Sequence, residues 1–128
     1  DNTQRLIAAA ENPNVHMLAH LTGRLLLRRE AYPINQHAVI DACAATGTWL
    51  ELNANPWRLD LRDKHVRLAT DAGVLVTIDT DAHHPGDFDL LKFGVLTARR
   101  GGLTQELCPN CWDAAKLHEW LRSKRSQA

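Results

Sequence analysis

In residues 74–85, VLVTIDTDAHHP, an apolar run turns abruptly into acid and imidazole at Asp79, Asp81, His83 and His84. Carboxylate oxygen and imidazole nitrogen are the mixed donor set that suits zinc, manganese or iron in hydrolytic sites. Asp81-x-His83 offers two such donors from one strand end, and His20 closes a second apolar stretch at residues 15–21. In a third stretch, residues 48–54, Glu51 and Asn53 share a parity with the following Asn55. No serine sits in a nucleophile elbow and no glycine-rich phosphate loop follows a strand, so acyl-enzyme and mononucleotide-fold chemistry are excluded. Metal-activated water attacking an ester remains. Plainer roles stay open, His20 as a loop-capping imidazole and Asp81 as a turn acid. His16, early in its strand, His65, on an exposed helix face, and His118, on the surface, fall outside the set, and His84 points away from His83.

These donors need elements that bring them to one place. Residues 74–79 read as a strand apolar on both faces, the pattern of a buried parallel strand. Alternation then lets Asp79, Asp81 and His83 face one point beyond its carboxyl end, where parallel α/β folds collect catalytic groups. Residues 4–11 are helix-compatible, residues 15–21 read as a strand, and residues 22–33 hold a Gly23-Arg24 turn, a leucine-arginine helical piece and a Tyr-Pro stop. Asn35 reads as an N-cap with Ile34 as staple onto Val39, the stripe Val39, Ala42, Cys43, Thr46 predicts a helix, and Gly47 stops it. Asp60 reads as the N-cap of a helix through Ala72, with Asp63 in its first turn and Gly73 as its stop. Aligning Gly47 with Gly73 exposes a repeated helix-Gly-strand unit in which Asn55 falls opposite Asp81. Asp87 caps a helical stretch to Arg100, interrupted at Gly94, and a last helix runs from Trp112 to Lys124 with Leu117, Trp120 and Leu121 as its buried stripe. The sum is three βα units, each delivering polar groups at the same end, like the mouth of a parallel barrel or half-barrel.

A chain of 128 residues suffices for one domain or part of one. Fifteen Lys and Arg balance fifteen Asp and Glu, so bulk charge gives no sign of a nucleic-acid partner, and only the clusters Arg24-Arg28-Arg29, Arg99-Arg100 and Arg122-Lys124-Arg125 bear on it. No stretch approaches the roughly 20 apolar residues of a membrane span, and no signal sequence opens the chain, which predicts a cytoplasmic location and no membrane partner. Three cysteines make no disulfide framework. Cys43 reads as a small core residue, and Cys108-Pro-Asn-Cys111 as two incidental thiols at a loop-to-helix junction.

Three segments in order, LAHLTGRLLLRRE, LELNANPWRLDLRD with VTIDTDAHHP, and FGVLTARRGGL, resemble the carboxyl-terminal half of a PHP (polymerase and histidinol phosphatase) domain. More narrowly, they resemble the PHP domain at the end of bacterial family X DNA polymerases. The resemblance covers nearly the whole chain. It implies the carboxyl-terminal half of a distorted (βα)7 TIM-like barrel with parallel strands alternating with helices, residues 1–128 forming the second part of one phosphoesterase domain. It implies divalent metals, Mn or Zn, up to three in a complete domain. His20, Asp81 and His83 match three ligands that serve different ions, Glu51 and Asn53 match a strand lining the site, and Arg24 matches a loop position suited to a phosphate.

The function the resemblance implies for an intact protein is a metal-dependent phosphoesterase acting as a 3′-5′ exonuclease on DNA primer ends beside a repair polymerase, with Arg99 and Arg100 touching phosphates. The alternatives are a small-molecule phosphatase of the histidinol-phosphate type and a non-catalytic structural module. The family's H-x-H motif and bridging glutamate come from an amino-terminal half, and no H-x-H occurs here. Asp79 stands where relatives often carry a neutral residue, and CPNC is not a family feature. The expectation is therefore a fragment, inactive alone, binding metal weakly, and either self-associating or marginally stable because the absent half leaves strand edges and an apolar inner face uncovered.

Overall fold

Two left-handed glycines set the rhythm of the chain. The structure, a computed structural model, describes residues 1–125. After α1 (Asn2–Glu11) and the two-residue β1 (Met17–Leu18), α2 (Gln36–Thr46) starts where the Asn35 side chain accepts the Ala38 N–H at 3.1 Å and stops at Gly47, φ 71°. Strand β2 (Trp49–Asn53) follows, then α3 (Asp63–Asp71), Gly73 at φ 75° and β3 (Val76–Asp79). Next come α4 (Leu91–Arg100) and α5 (Ala114–Arg125), with 3-10 turns at Pro85–Leu90, Gln105–Leu107 and Pro109–Cys111. Among the described residues the strands form one parallel sheet in the order β1-β2-β3. Its register, Leu50 beside Val76 and Asn53 beside Asp79, keeps the alignment that Gly47 and Gly73 set. The expected mixed α/β order of parallel strands and helices is observed.

Alternation divides the sheet into two unlike faces. Leu50, Leu52, Val76 and Ile78 lie on one and build the core with Val39, Leu61 and Val66. Trp49, Glu51, Asn53, Thr77 and Asp79 lie on the other. That second face is polar toward its carboxyl end, as the shared parity of Glu51 and Asn53 predicts, so the inner face is not the apolar one expected; Trp49 on it is covered by Trp120 at 4.3 Å and Trp112 at 5.6 Å. The outer edge of β3 is met by a side chain. The Asn110 amide accepts from the Ile78 N–H and donates to its C=O, both at 2.8 Å. Cys108, buried beside it, points its thiol at the same Asn110 oxygen at 3.6 Å, while Cys111 is exposed.

Several local expectations change. The first strand is two residues long, not seven, because the chain turns at His20, φ 28°, where the Gly23 N–H reaches the His20 carbonyl at 2.8 Å. Residues 22–33 hold no helix. Leu27 is left-handed at φ 65°, Leu25 bridges Arg29, and the Leu26 N–H is taken by the Trp57 carbonyl at 2.6 Å. Helix α3 begins after Arg62, not at Asp60, which is buried and otherwise engaged. Asp87 is not an N-cap. His84 is, and Asp87 returns its carboxylate to the His83 and His84 N–H groups at 2.9 and 3.0 Å. His65 is half-buried, with Nδ1 lacking a partner, and burial together with Lys64 and Arg62 pushes its pKa down to about 4. Lys124 is buried instead of solvating, and its ammonium meets Thr48 Oγ1 and the Ala10 carbonyl.

Gly94 lies inside α4 instead of interrupting it, where the helix crosses the sheet without room for a side chain. A Cβ there would fall 2.6 Å from Ile78 Cγ2 and 2.7 Å from Ala54 Cβ. Gly94→Ala is therefore expected to lower stability by about 1–3 kcal/mol through overpacking, despite alanine's better helix propensity. Urea unfolding followed by circular dichroism reads this directly. An unchanged or raised midpoint would mean that α4 shifts freely off the sheet.

Candidate functional site

The loops at the carboxyl ends of the three strands are knotted together by polar contacts. Asp60, 1% exposed, accepts the Thr22 N–H at 2.9 Å and the Thr22 hydroxyl at 2.8 Å through Oδ2, leaving Oδ1 buried without a partner. Its carbonyl accepts the Asn53 N–H at 2.7 Å, and the next residue, Leu61, donates to the Glu51 carbonyl at 3.3 Å. The segment after β2 thus folds back along β2. Arg24 fastens the same segment from the other side, giving Nε to the Arg58 carbonyl at 2.7 Å and Nη2 to the Leu59 carbonyl.

Inside this rim carboxylates gather. Glu51 is 5% exposed and accepts the His20 backbone N–H. Burial, a hydrogen bond with Asp79, and the charges of Asp79 and Asp81 push its pKa up to about 8, with the His20 N–H opposing. Asn53, fully buried, donates Nδ2 to Asp81 Oδ2 at 3.2 Å and accepts the Asn55 N–H at 3.0 Å. The Arg58 Nε lies 3.7 Å from the same Asp81 oxygen.

The sequence-predicted residues are partly brought together. Asp81 and His83 are neighbours, with His83 Nδ1 2.7 Å from the Asp81 carbonyl, but not by strand parity. The strand ends at Asp79, whose carboxylate accepts the Asp81 N–H at 3.1 Å, and Asp81 is left-handed at φ 52°. His20 joins the group through its backbone, its residue exposed. Arg24 serves the loops, with two of its donors on carbonyls and its pKa lowered by burial. Sequence reasoning missed Arg58 and gave Asp60 a helix-capping role in place of its contact with Thr22. The run Arg58-Leu-Asp60 directly after the polar strand was the signal that could have found them.

Among the described residues, no three His, Cys, Asp or Glu side chains converge on one metal-binding point. The donor chemistry at the rim nonetheless suits a hard or borderline cation. Glu51, Asp79 and Asp81 lie close together, and burial first, then the hydrogen bond with Asp79 and the charges of Asp79 and Asp81, raise the Glu51 pKa. A cation there would relieve the repulsion among them.

The chain is similar to a polymerase/exonuclease and to two probable phosphatases. The chain is 47% identical over 98 residues to the DNA polymerase/3′-5′ exonuclease PolX of Bacillus subtilis (strain 168), an alignment covering 77% of this chain and 17% of that protein. It is 25% identical over 130 aligned positions to probable phosphatases of Thermoanaerobacter sp. (strain X514) and Thermoanaerobacter pseudethanolicus, covering 97% of this chain and 50% of each. No protein-family model matches. The resemblance to the PHP domain of bacterial family X polymerases is thereby borne out. The chain spans about half the length of the phosphatases and about a sixth of the polymerase.

The Glu51 carboxyl gives a signed pH effect. Its folded pKa of about 8 stands above its ordinary value of 4.5, so between those values the folded chain keeps a proton that the unfolded chain has released. Stability from this group falls as pH rises through that window. With divalent cations chelated, Glu51→Gln is expected to flatten the decline between pH 5 and about pH 8, measured as urea midpoints against pH. Parallel profiles for the two proteins would contradict a raised Glu51 pKa.

Proposed function

We propose that residues 1–128 form the carboxyl-terminal part of a metal-dependent PHP phosphoesterase domain on a TIM-like barrel, and that the intact protein trims DNA 3′ ends as a 3′-5′ exonuclease beside a family X repair polymerase. The observation that carries this reading is the gathering of Glu51, Asp79 and Asp81 at the carboxyl ends of parallel strands, with Arg58 against Asp81. The likeness to the Bacillus polymerase/exonuclease supports it.

In this reading Asp81, His83 and His20 would hold divalent cations, Mn or Zn. The remaining ligands come from polypeptide outside these residues. Bound cations would generate a nucleophilic hydroxide near neutral pH and offset charge developing on phosphorus. The chain's own groups do the rest. Asn53 orients the Asp81 carboxylate through its 3.2 Å hydrogen bond, Glu51 holds the loop after β1 through the His20 N–H, and Arg58 takes a phosphate oxygen. Arg24 acts on the phosphate indirectly, by holding the Arg58 backbone.

The two probable phosphatases, which align along nearly the whole chain, favour a second reading, a phosphatase for small phosphate esters. Substrate separates the two. A chimera in which this chain replaces the matched segment of the Bacillus protein is expected to release nucleotides from a labelled primer 3′ end. Asp81→Ala with His83→Ala in that chimera is expected to slow release by about 100-fold or more, roughly 3 kcal/mol of transition-state stabilisation. Unchanged release would leave the segment only a structural role, and an active centre that frees phosphate from small esters while sparing the primer would favour the phosphatase.

A further inference from the structure

Three of the four tryptophans are accounted for by packing. Trp49 meets Trp112 edge to face at 5.6 Å and Trp120 tilted at 4.3 Å. Trp57 is not among them. It is 53% exposed, and the ring contact it makes is with the Arg28 guanidinium, 5.2 Å from the indole centroid. A half-bare indole contributes little to the core; Leu27, Phe88 and Leu96 are more exposed still, and what sets Trp57 apart is the company it keeps.

The indole is held in place by its backbone. The Trp57 N–H is bound to Asn55 Oδ1 at 3.0 Å, its carbonyl takes the Leu26 N–H at 2.6 Å, and the next two residues donate to the Asn55 carbonyl at 2.8 and 2.9 Å. Asn55 is itself anchored on the buried Asn53. Trp57 forms one wall of an open hollow of about 290 Å³ whose other walls are Leu25, Arg28, Asn55 and Arg58. That lining holds two cations and no acid. Arg58 belongs to both the hollow and the candidate site, since its Nε is 3.7 Å from Asp81.

We propose that Trp57, flanked by Arg28 and Arg58, is a stacking platform for a base of a single-stranded nucleic acid whose backbone runs from the hollow toward Asp81, a proposal that rests on the phosphoesterase reading for what lies beside it. An indole with one guanidinium over its ring and a second lining the same hollow matches a ligand that repeats a flat π-system and an anionic phosphate, and every base presents such a π-face. In a duplex both faces of a base are covered by its neighbours. A single strand or frayed end offers the free face that the indole needs. A small phosphate ester without a ring has nothing to lay on Trp57, so the platform would select nucleic-acid ends over such esters.

The test is binding, with divalent cations chelated so that cleavage plays no part. Anisotropy of a fluorescein-labelled oligothymidylate of about ten nucleotides is titrated with the full 128-residue chain, beside an oligomer of equal length with abasic residues at its 3′ end. Trp57→Ala is expected to weaken binding of the base-bearing oligomer by about 5- to 100-fold, the range of one lost base stack, and Trp57→Phe to restore most of it. The wild-type chain is expected to bind the abasic oligomer more weakly by a similar factor, and the Trp57→Ala chain to treat the two alike. Equal binding by wild type and Trp57→Ala, a loss that Trp57→Phe fails to restore, indifference of the wild type to the missing bases, or no binding of the base-bearing oligomer would each overturn the platform. Failure of the chimera to cleave, with this binding pattern intact, would sink the phosphoesterase reading alone.

Discussion

A buried carboxylate with two donors from one threonine holds the carboxyl-terminal rim of the sheet in shape. Asp60 ties the loop after β1 to the loop after β2, and its backbone pairs alongside β2 in an isolated antiparallel bridge with Asn53. Hydrogen bonds to a charged group contribute about 1.5–3 kcal/mol each, and removing one partner of a buried set costs more because the other is left unsatisfied. Everything at the rim inherits its position from this contact. Arg24 grips carbonyls two residues or fewer before Asp60, Trp57 and Arg58 ride on the same segment, and Asn53 is enclosed by it.

The two faces of the sheet are doing opposed jobs. The helix-facing side is packed so closely that a helix crosses it on a glycine, which fixes the strands as a rigid base. The opposite side accepts electrostatic cost. Three carboxyls share a small space, burial and its neighbours push the pKa of one of them up, and the Arg58 guanidinium answers Asp81 at 3.7 Å. A rigid apolar layer is what allows the polar layer to be held in an arrangement it would not keep in water.

The sequence reveals most where one residue type has one physical use. Gly47, Gly73 and Asn35 mark their helix ends correctly, because left-handed backbone and an orphan N–H leave few candidates. The parallel pairing follows from the repeated unit those glycines define. Asp60 is misread because an aspartate ahead of an apolar periodic run looks like a cap, and nothing local shows that its partner is Thr22, far back in the chain. Residues 22–33 look helical in composition, yet their backbone is claimed by Trp57, Thr22 and Arg29, partners no periodicity encodes. Of the candidate site, the meeting of Asp81 and His83 is readable from adjacency. The strand-parity route to it fails because Asp81 leaves the extended conformation. Glu51 and Asn53 are legible as polar residues in a buried strand. The role of Arg58 depends on a fold-back that only long-range contacts specify.

Asn110 carries a consequence for how this chain behaves beside copies of itself. A side-chain amide presents one acceptor and one donor in the spacing of a backbone peptide, so at Ile78 the outer edge of β3 meets a counterfeit strand one residue long. A chain seeking to extend the sheet there must first evict that amide from two good hydrogen bonds. The edge is guarded against strand exchange and fibril-like growth at its middle, without the lysines, prolines or bulges that usually serve as deterrents.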